Sequence, residues 1–296
     1  MYENSKFASH LQKRMRIFNK QSELTAFLKS ISTDKKTIGF VPTMGALHQG
    51  HLSLLKTALE QNEIVVMSIF VNPTQFNNPE DLAKYPRTLD ADVEKIKTVS
   101  PEIIVYAPTV DDIYEGKTVS QHFDYDGIEN QMEGKFRPGH FDGVGTIVKR
   151  LFEIVQPNKA YFGEKDFQQL QIVKKLVSKH NIPVEVIGCP IHREANGLAM
   201  SSRNERLSES AREKAAIIYQ ILNSAKEIFQ TNSAEQTIKF VENEFKKYPE
   251  FELEYFEIAD EATLLPVSEK ESNKKYRGFI AIFIENIRLI DNISLN

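Results

Sequence analysis

Two histidines, His48 and His51, stand three positions apart in VPTMGALHQGH (residues 41–51), where a short apolar run ends and an amphipathic stretch begins. Imidazoles so spaced project from one side of a first helical turn. They suit hydrogen-bond donation to an anion, or a share in a metal site; a plain pair of surface histidines is the third possibility. No further ligand follows at zinc-site spacing, and the motif comes after a strand rather than inside a helix, which favours the anion. In an open α/β sheet the carboxyl ends of strands and the free N–H groups of the next helix collect phosphate. Gly45 and Gly50 let a ligand approach the main chain. A donor aimed at developing negative charge there is worth about 10²- to 10³-fold in rate.

Four more strings carry usable chemistry. GEKDFQQ (163–169) again follows a strand-like run, offering Lys165 as a mobile positive charge and Asp166 as an acceptor for ribose hydroxyls. MSSRN (200–204) places two hydroxyls before Arg203, a small phosphate-binding set, behind the turn formers Asn196 and Gly197. FVNPTQF (70–76) supplies Asn72 and Gln75, amides that read a hydroxyl or carboxylate without titrating. GKFRPGHFDGVG (134–145) carries Arg137 and His140 on what reads as a Gly- and Pro-rich loop, able to close over an anion or simply to connect. Ordinary solvated helix starts and connecting loops remain the alternative for each string alone.

The elements that position these residues follow from hydrophobic periodicity. Residues 38–41 predict a strand, Leu52, Leu55 and Leu59 a helix, and 64–71 (IVVMSIFV) a strand apolar on both faces, together a right-handed βαβ unit. Helices over 90–99, 143–155 and 166–180 and strands over 102–107, 159–162 and 183–188 continue the alternation, which predicts a Rossmann-like, doubly wound parallel sheet. After about residue 190 the style changes: helices over 208–230 and 234–248, then strands over 251–258 and 278–284, with 266–275 an exposed loop. The expected division is a nucleotide-binding domain over 1–189 and a smaller α+β domain over 190–296.

Composition narrows the partners. The chain has 296 residues, 41% hydrophobic and 26% charged, enough for a packed core and against wholesale disorder. Thirty-seven basic against 41 acidic residues leave a net charge of −4, too little positive field for nucleic acid. A lone Cys189 makes no internal disulfide and fits a reducing, cytoplasmic setting. The apolar stretch 64–71 is far short of the roughly 18 residues a membrane span needs. Residues 1–14 lack a signal-peptide core and read as a loose extension.

Taken in order, VPTMGALHQGHLSL, IFVNPTQF, YPRT (85–88), EGKFRPGHFDGV, FGEKDFQQL and REANGLAMSSRN make the chain resemble the pantothenate synthetase (pantoate-beta-alanine ligase) family of the HxGH nucleotidyltransferase superfamily, across about residues 38–206. The resemblance implies that ATP and (R)-pantoate, with Mg2+, form pantoyl adenylate, which the amine of beta-alanine converts to pantothenate and AMP. By position it assigns ATP to Met44, Gly45, Ala46, Leu47, His48, Gln49, Gly50 and His51, to Gly163, Glu164, Lys165 and Asp166, and to His192, Met200, Ser201, Ser202 and Arg203. His48, His51, Lys165 and Arg203 would be the catalytic set, His51 being described in such families as a general acid. Thr43, Met44, Asn72, Gln75 and Gln169 would face pantoate, with Arg137 and His140 as gate-loop contacts. Asp90 and Asp92 are candidate magnesium ligands, and a homodimer is implied by the resemblance only. Asn196 and His192 depart from the family pattern, where an acidic residue and a small aliphatic are expected. A related nucleotidyltransferase acting on a phosphorylated acceptor, and a nucleotide-binding regulator without catalysis, are the competing readings.

Overall fold

A computed structural model describes residues 15–31 and 36–296; the stretch 1–14, read above as a loose extension, lies outside the described residues. In chain order the first part runs β1 (Arg16–Phe18), α1 (Gln21–Ile31), β2 (Ile38–Thr43), α2 (Gln49–Gln61), β3 (Ile64–Ile69), α3 (Pro79–Lys84), α4 (Leu89–Val99), β4 (Ile104–Tyr106), α5 (Val110–Tyr114), α6 (Met132–Phe136), α7 (His140–Val155), β5 (Lys159–Gly163), α8 (Phe167–Lys179) and β6 (Glu185–Cys189). The rest comprises α9 (Glu209–Lys214), α10 (Ala216–Thr231), α11 (Ala234–Phe245), β7 (Phe251–Asp260), β8 (Tyr276–Ile284) and β9 (Ile287–Ser294).

β2 and β3 bury nearly every residue, so their apolar runs are strands covered on both faces. One face packs under α1, α7 and α8 through Leu24, Val148 and Leu170, and the other under α2 and α4 through Leu55 and Ile96. All pairings are parallel in the order β1-β4-β3-β2-β5-β6. The chain leaves β2 toward β3 and β4, then returns to the other side of β2 for β5 and β6. That reversal opens a crevice at the carboxyl ends of β2 and β5, the place where such sheets bind ligands.

The carboxyl-terminal sheet is antiparallel, β7-β8-β9, and buries its own core with α10 and α11. It also reaches into the first sheet's core, where Phe279 meets Phe167 with ring centroids 5.9 Å apart. No described helix is long and apolar enough to cross a membrane.

Three expectations need correction. The predicted helix over 208–230 breaks at Ala215, where a tighter turn bonds Ile218 N–H to the Ala215 carbonyl. The strand β9 is absent from the sequence reading: its apolar alternation is interrupted by Asp291 and Asn292, which are buried because each is hydrogen-bonded. The two-residue turn before it puts both Glu285 and Asn286 at positive φ, the geometry a tight hairpin requires. Finally, 134–145 is not a loop. It ends α6 and begins α7, and its glycines mark close packing: a Cβ on Gly143 would lie 2.4 Å from the Thr74 carbonyl oxygen, and one on Gly145 would lie 1.9 Å from the Tyr125 hydroxyl.

Candidate active site

The loop leaving β2 is shaped before it is functional. Gly45 (φ 84°) and Ala46 (φ 50°) both take the left-handed conformation, which costs an alanine roughly 1–2 kcal/mol. Two hydrogen bonds offset that cost, from the Ala46 and Leu47 N–H groups to the carboxylate of Asp92, at 2.9 and 2.7 Å. Asp92 is fully buried on α4 and also accepts from Thr88, while Lys95, one turn on, donates to the Leu47 carbonyl at 2.6 Å. Asp92 is therefore a brace for this loop, and neither Asp92 nor the exposed Asp90 is among the residues that line the crevice.

α2 begins with a capping box made of two histidines. His48 Nδ1 accepts from Gly50 N–H, and His51 Nδ1 accepts from His48 N–H, both at 3.2 Å. A ring nitrogen that accepts carries no proton, so in each ring the proton sits on Nε2. The rings lie 4.1 Å apart. Burial, then the neighbouring Lys165 and Lys95, pull His48 down to about 4. His51 is pushed well below its ordinary range by burial, then by His48 and the same lysines. At neutral pH both are uncharged rings with one N–H to donate.

These rings line a crevice of about 240 Å³ together with Lys165, Asp166, His192, Met200, Ser201, Ser202 and Arg203. Thr43, Met44, Gly50, Asn72, Gln75, Gly163 and Gln169 line it too. Segments 41–51, 70–76, 163–169 and 200–204 thus converge as expected. Gly45, Ala46, Leu47, Gln49 and Glu164 do not line it: Leu47 is core and Gln49 is exposed. Ser202 donates to the Ala46 carbonyl at 3.1 Å, tying the 200–204 segment to the β2 loop.

On the opposite side, Asn72 spends its bonds internally. Its amide donates to Gln75 Oε1 and the Gly143 carbonyl, and its oxygen accepts from Thr74 and from Tyr114, the latter at 2.6 Å. Gln75 in turn donates to the Met44 sulfur at 3.0 Å. Asn72 therefore fixes Gln75, and Gln169, in the first turn of α8, lines the same crevice. Arg137 and His140 stand behind Gln75 rather than in the crevice, both bonded to its carbonyl oxygen, at 3.2 and 2.8 Å. They line a smaller adjoining cavity of about 40 Å³. Burial, then Arg137, pull His140 down to about 3. Apolar walls from Phe70, Val144, Ile147, Val148 and Leu151, and the side chain of Tyr85, complete the main crevice.

One support is invisible in the sequence. Asn292 of β9 donates to the main-chain carbonyls of both Glu164 and Lys165, each at 2.9 Å, and its own oxygen accepts from Arg277 at 2.6 Å. Nothing in a single Asn so far along the chain signals such a contact.

A family model described as pantoate-beta-alanine ligase matches residues 16–294. The chain belongs to the pantoate-beta-alanine ligase family. A pantothenate synthetase of Flavobacterium psychrophilum is 66% identical over 95% of this chain and 100% of the relative. The crystal structure of pantothenate synthetase from Thermus thermophilus superposes with a TM-score of 0.86 at 41% identity, over 95% of this chain and 99% of that one. The pantoate-beta-alanine ligase of Francisella tularensis, complexed with beta-gamma ATP and beta-alanine, gives 0.76 at 35% identity, over 95% and 98%. Membership extends the likeness past residue 206, the last position the sequence motifs reached, through the antiparallel sheet.

Proposed function

We propose that the chain joins (R)-pantoate to beta-alanine at the expense of ATP, through pantoyl adenylate. A pantoate carboxylate oxygen attacks the α-phosphorus, the bond to pyrophosphate breaks, and the beta-alanine amine then attacks the acyl carbon, expelling AMP and losing a proton. The observation that carries this reading is the convergence of two neutral imidazole donors with Lys165 and Arg203 on one crevice, at the reversal of strand order. Phosphoryl transfer leans on such placement of charge and donors. His48 and His51 serve as hydrogen-bond donors through Nε2 to the departing pyrophosphate. They are not proton donors, because neither ring is charged at neutral pH.

In this reading Asp166 takes the ribose, and Ser201 and Ser202 take phosphate oxygens. Gln75 and Gln169 hold pantoate, with Asn72, Arg137 and His140 fixing Gln75. Magnesium belongs to it only as the nucleotide's companion. Among the described residues no group of three His, Cys, Asp or Glu side chains is arranged to hold a metal ion, so phosphate oxygens and water would supply most of its shell. A cytoplasmic homodimer, with the working division near residue 189, completes the proposal. The decisive experiment is pyrophosphate–ATP exchange without beta-alanine. Exchange that depends on pantoate is expected; exchange without any acid, or none at all, overturns the adenylate route.

A further inference from the structure

Asp81 of α3 lies outside the crevice, yet its carboxylate is shared by two guanidinium groups. Arg203 approaches Oδ2 at 3.1 Å and Arg206 approaches Oδ1 at 3.3 Å. α3 buries none of its side chains, so core packing does not demand an acid at this position. Arg203, by contrast, lines the crevice, and its charge is one of several gathered there: it bears on Arg137 and on His140, and Lys165 lines the same crevice. Asp81 is therefore the carboxylate that neutralises one edge of a cationic cluster. It holds Arg203 through one nitrogen, Nη2, and leaves the rest of the fork unpaired with it.

We propose that Asp81 is a resident counter-ion for Arg203, holding the guanidinium while the crevice is empty and yielding it to a triphosphate, with Arg206 keeping Asp81 and α3 in place after the exchange. The inference rests on the assignment of Arg203 to the phosphates. A triphosphate outcompetes Asp81 because it brings more charge and offers the fork two parallel acceptors, whereas Asp81 gives one oxygen to Arg203 and the other to Arg206. Arg206 has no place among the crevice-lining residues and so stays available to the carboxylate that Arg203 leaves. Asp81 thus sets how much of the binding energy of ATP goes into breaking an existing pair, which makes it a positioning residue that tunes nucleotide affinity.

The test is a double-mutant cycle on the intact protein, with ATP alone as the probe and its Kd read by titration calorimetry at low salt. Arg203→Ala is expected to weaken ATP binding about tenfold or more, as the loss of a charge-assisted contact does. Asp81→Asn is expected to tighten it about two- to fivefold, the range an incompletely buried ion pair is worth. In the Arg203→Ala background the same Asp81→Asn change is expected to have no effect, because there is no guanidinium left to release. Unchanged or weaker binding in Asp81→Asn overturns the counter-ion role. Equal tightening in both backgrounds also overturns it, since that would be the general field of a removed negative charge. If Arg203→Ala binds ATP as well as the parent does, the phosphate assignment itself falls. Circular dichroism on each variant confirms that the comparison is between folded proteins.

Discussion

Two buried polar centres flank the crevice and treat charge in opposite ways. At the mouth of α2, His48 and His51 are kept neutral, the Nδ1 of each ring engaged by a backbone N–H. At the seam between the two sheets, Glu133 of α6 is kept charged. Arg288 of β9 grips both of its oxygens, at 2.8 and 2.7 Å, and Tyr255 of β7 donates at 2.8 Å. Arg288 also holds Glu254, and Arg137 stands 3.7 Å from Glu133. Burial alone would raise the Glu133 carboxyl, but the Arg288 guanidinium outweighs it and holds the group at about 2. The contrast separates two tasks. A centre proposed to receive an anion beside Lys165 works best as fixed dipoles, since further cations there would repel one another when the crevice is empty. A centre that must only join α6 to the second sheet gains from full charges, fixed against each other.

The largest effect should come from breaking the charged centre. Glu133→Gln leaves Arg288 only half compensated, and the expected loss is about 3–5 kcal/mol of unfolding free energy, read from urea denaturation. A loss below about 1 kcal/mol would show that the seam is not held by charge. At the neutral centre the cost should appear in rate instead. His51→Ala is expected to lower kcat about 10²- to 10³-fold, while stability falls by about 1 kcal/mol for the lost cap. A near-normal rate would remove the pyrophosphate role.

Acid titration should separate the two centres by pH. His48 has a native pKa of about 4 against an ordinary 6.5, so the unfolded chain takes up its proton first; the stability it contributes is complete above 6.5 and lost as pH falls toward 4. Glu133, lowered from 4.5 to about 2, keeps its contribution until pH 4.5 and loses it toward 2. His48→Asn is expected to reduce the slope in the upper window, where His51 and His140 also contribute, and Glu133→Gln the slope in the lower, each by equilibrium unfolding across pH. An identical slope in parent and variant would contradict the corresponding assignment. The smallest effect is on substrate: Gln75→Ala should raise KM for pantoate about tenfold, the cost of one or two hydrogen bonds, with the KM for ATP little changed. An equal rise for both would place Gln75 outside the pantoate site.

The neutral centre is legible in the sequence because its chemistry is contiguous: VPTMGALHQGH carries the turn glycine, both rings and the helix they cap within a few residues. Lys165 and Arg203 are legible for the same reason, each embedded in a short string after a turn or strand. The charged centre is not. Glu133, Tyr255 and Arg288 are ordinary amphipathic-element residues until the fold brings α6 against the antiparallel sheet, across separations of 122 and 155 positions. Asp92 draws notice for its charge alone, because nothing local reveals that its carboxylate faces two main-chain N–H groups 45 and 46 residues away. The parallel sheet is clear from its apolar runs, whereas Gly143 and Gly145 suggest a loop, since glycine serves close helix packing as readily as it serves turns.

The grip of Asn292 on the carbonyls of Glu164 and Lys165 sets an order of events during synthesis. A ribosome must add 127 more residues after Lys165 before the amide that steadies that lysine exists. A nascent chain that has already assembled its parallel layer still lacks the support of the proposed phosphate cradle, so in this reading competence for the reaction arrives late in translation rather than with the segment that supplies most of the crevice-lining residues.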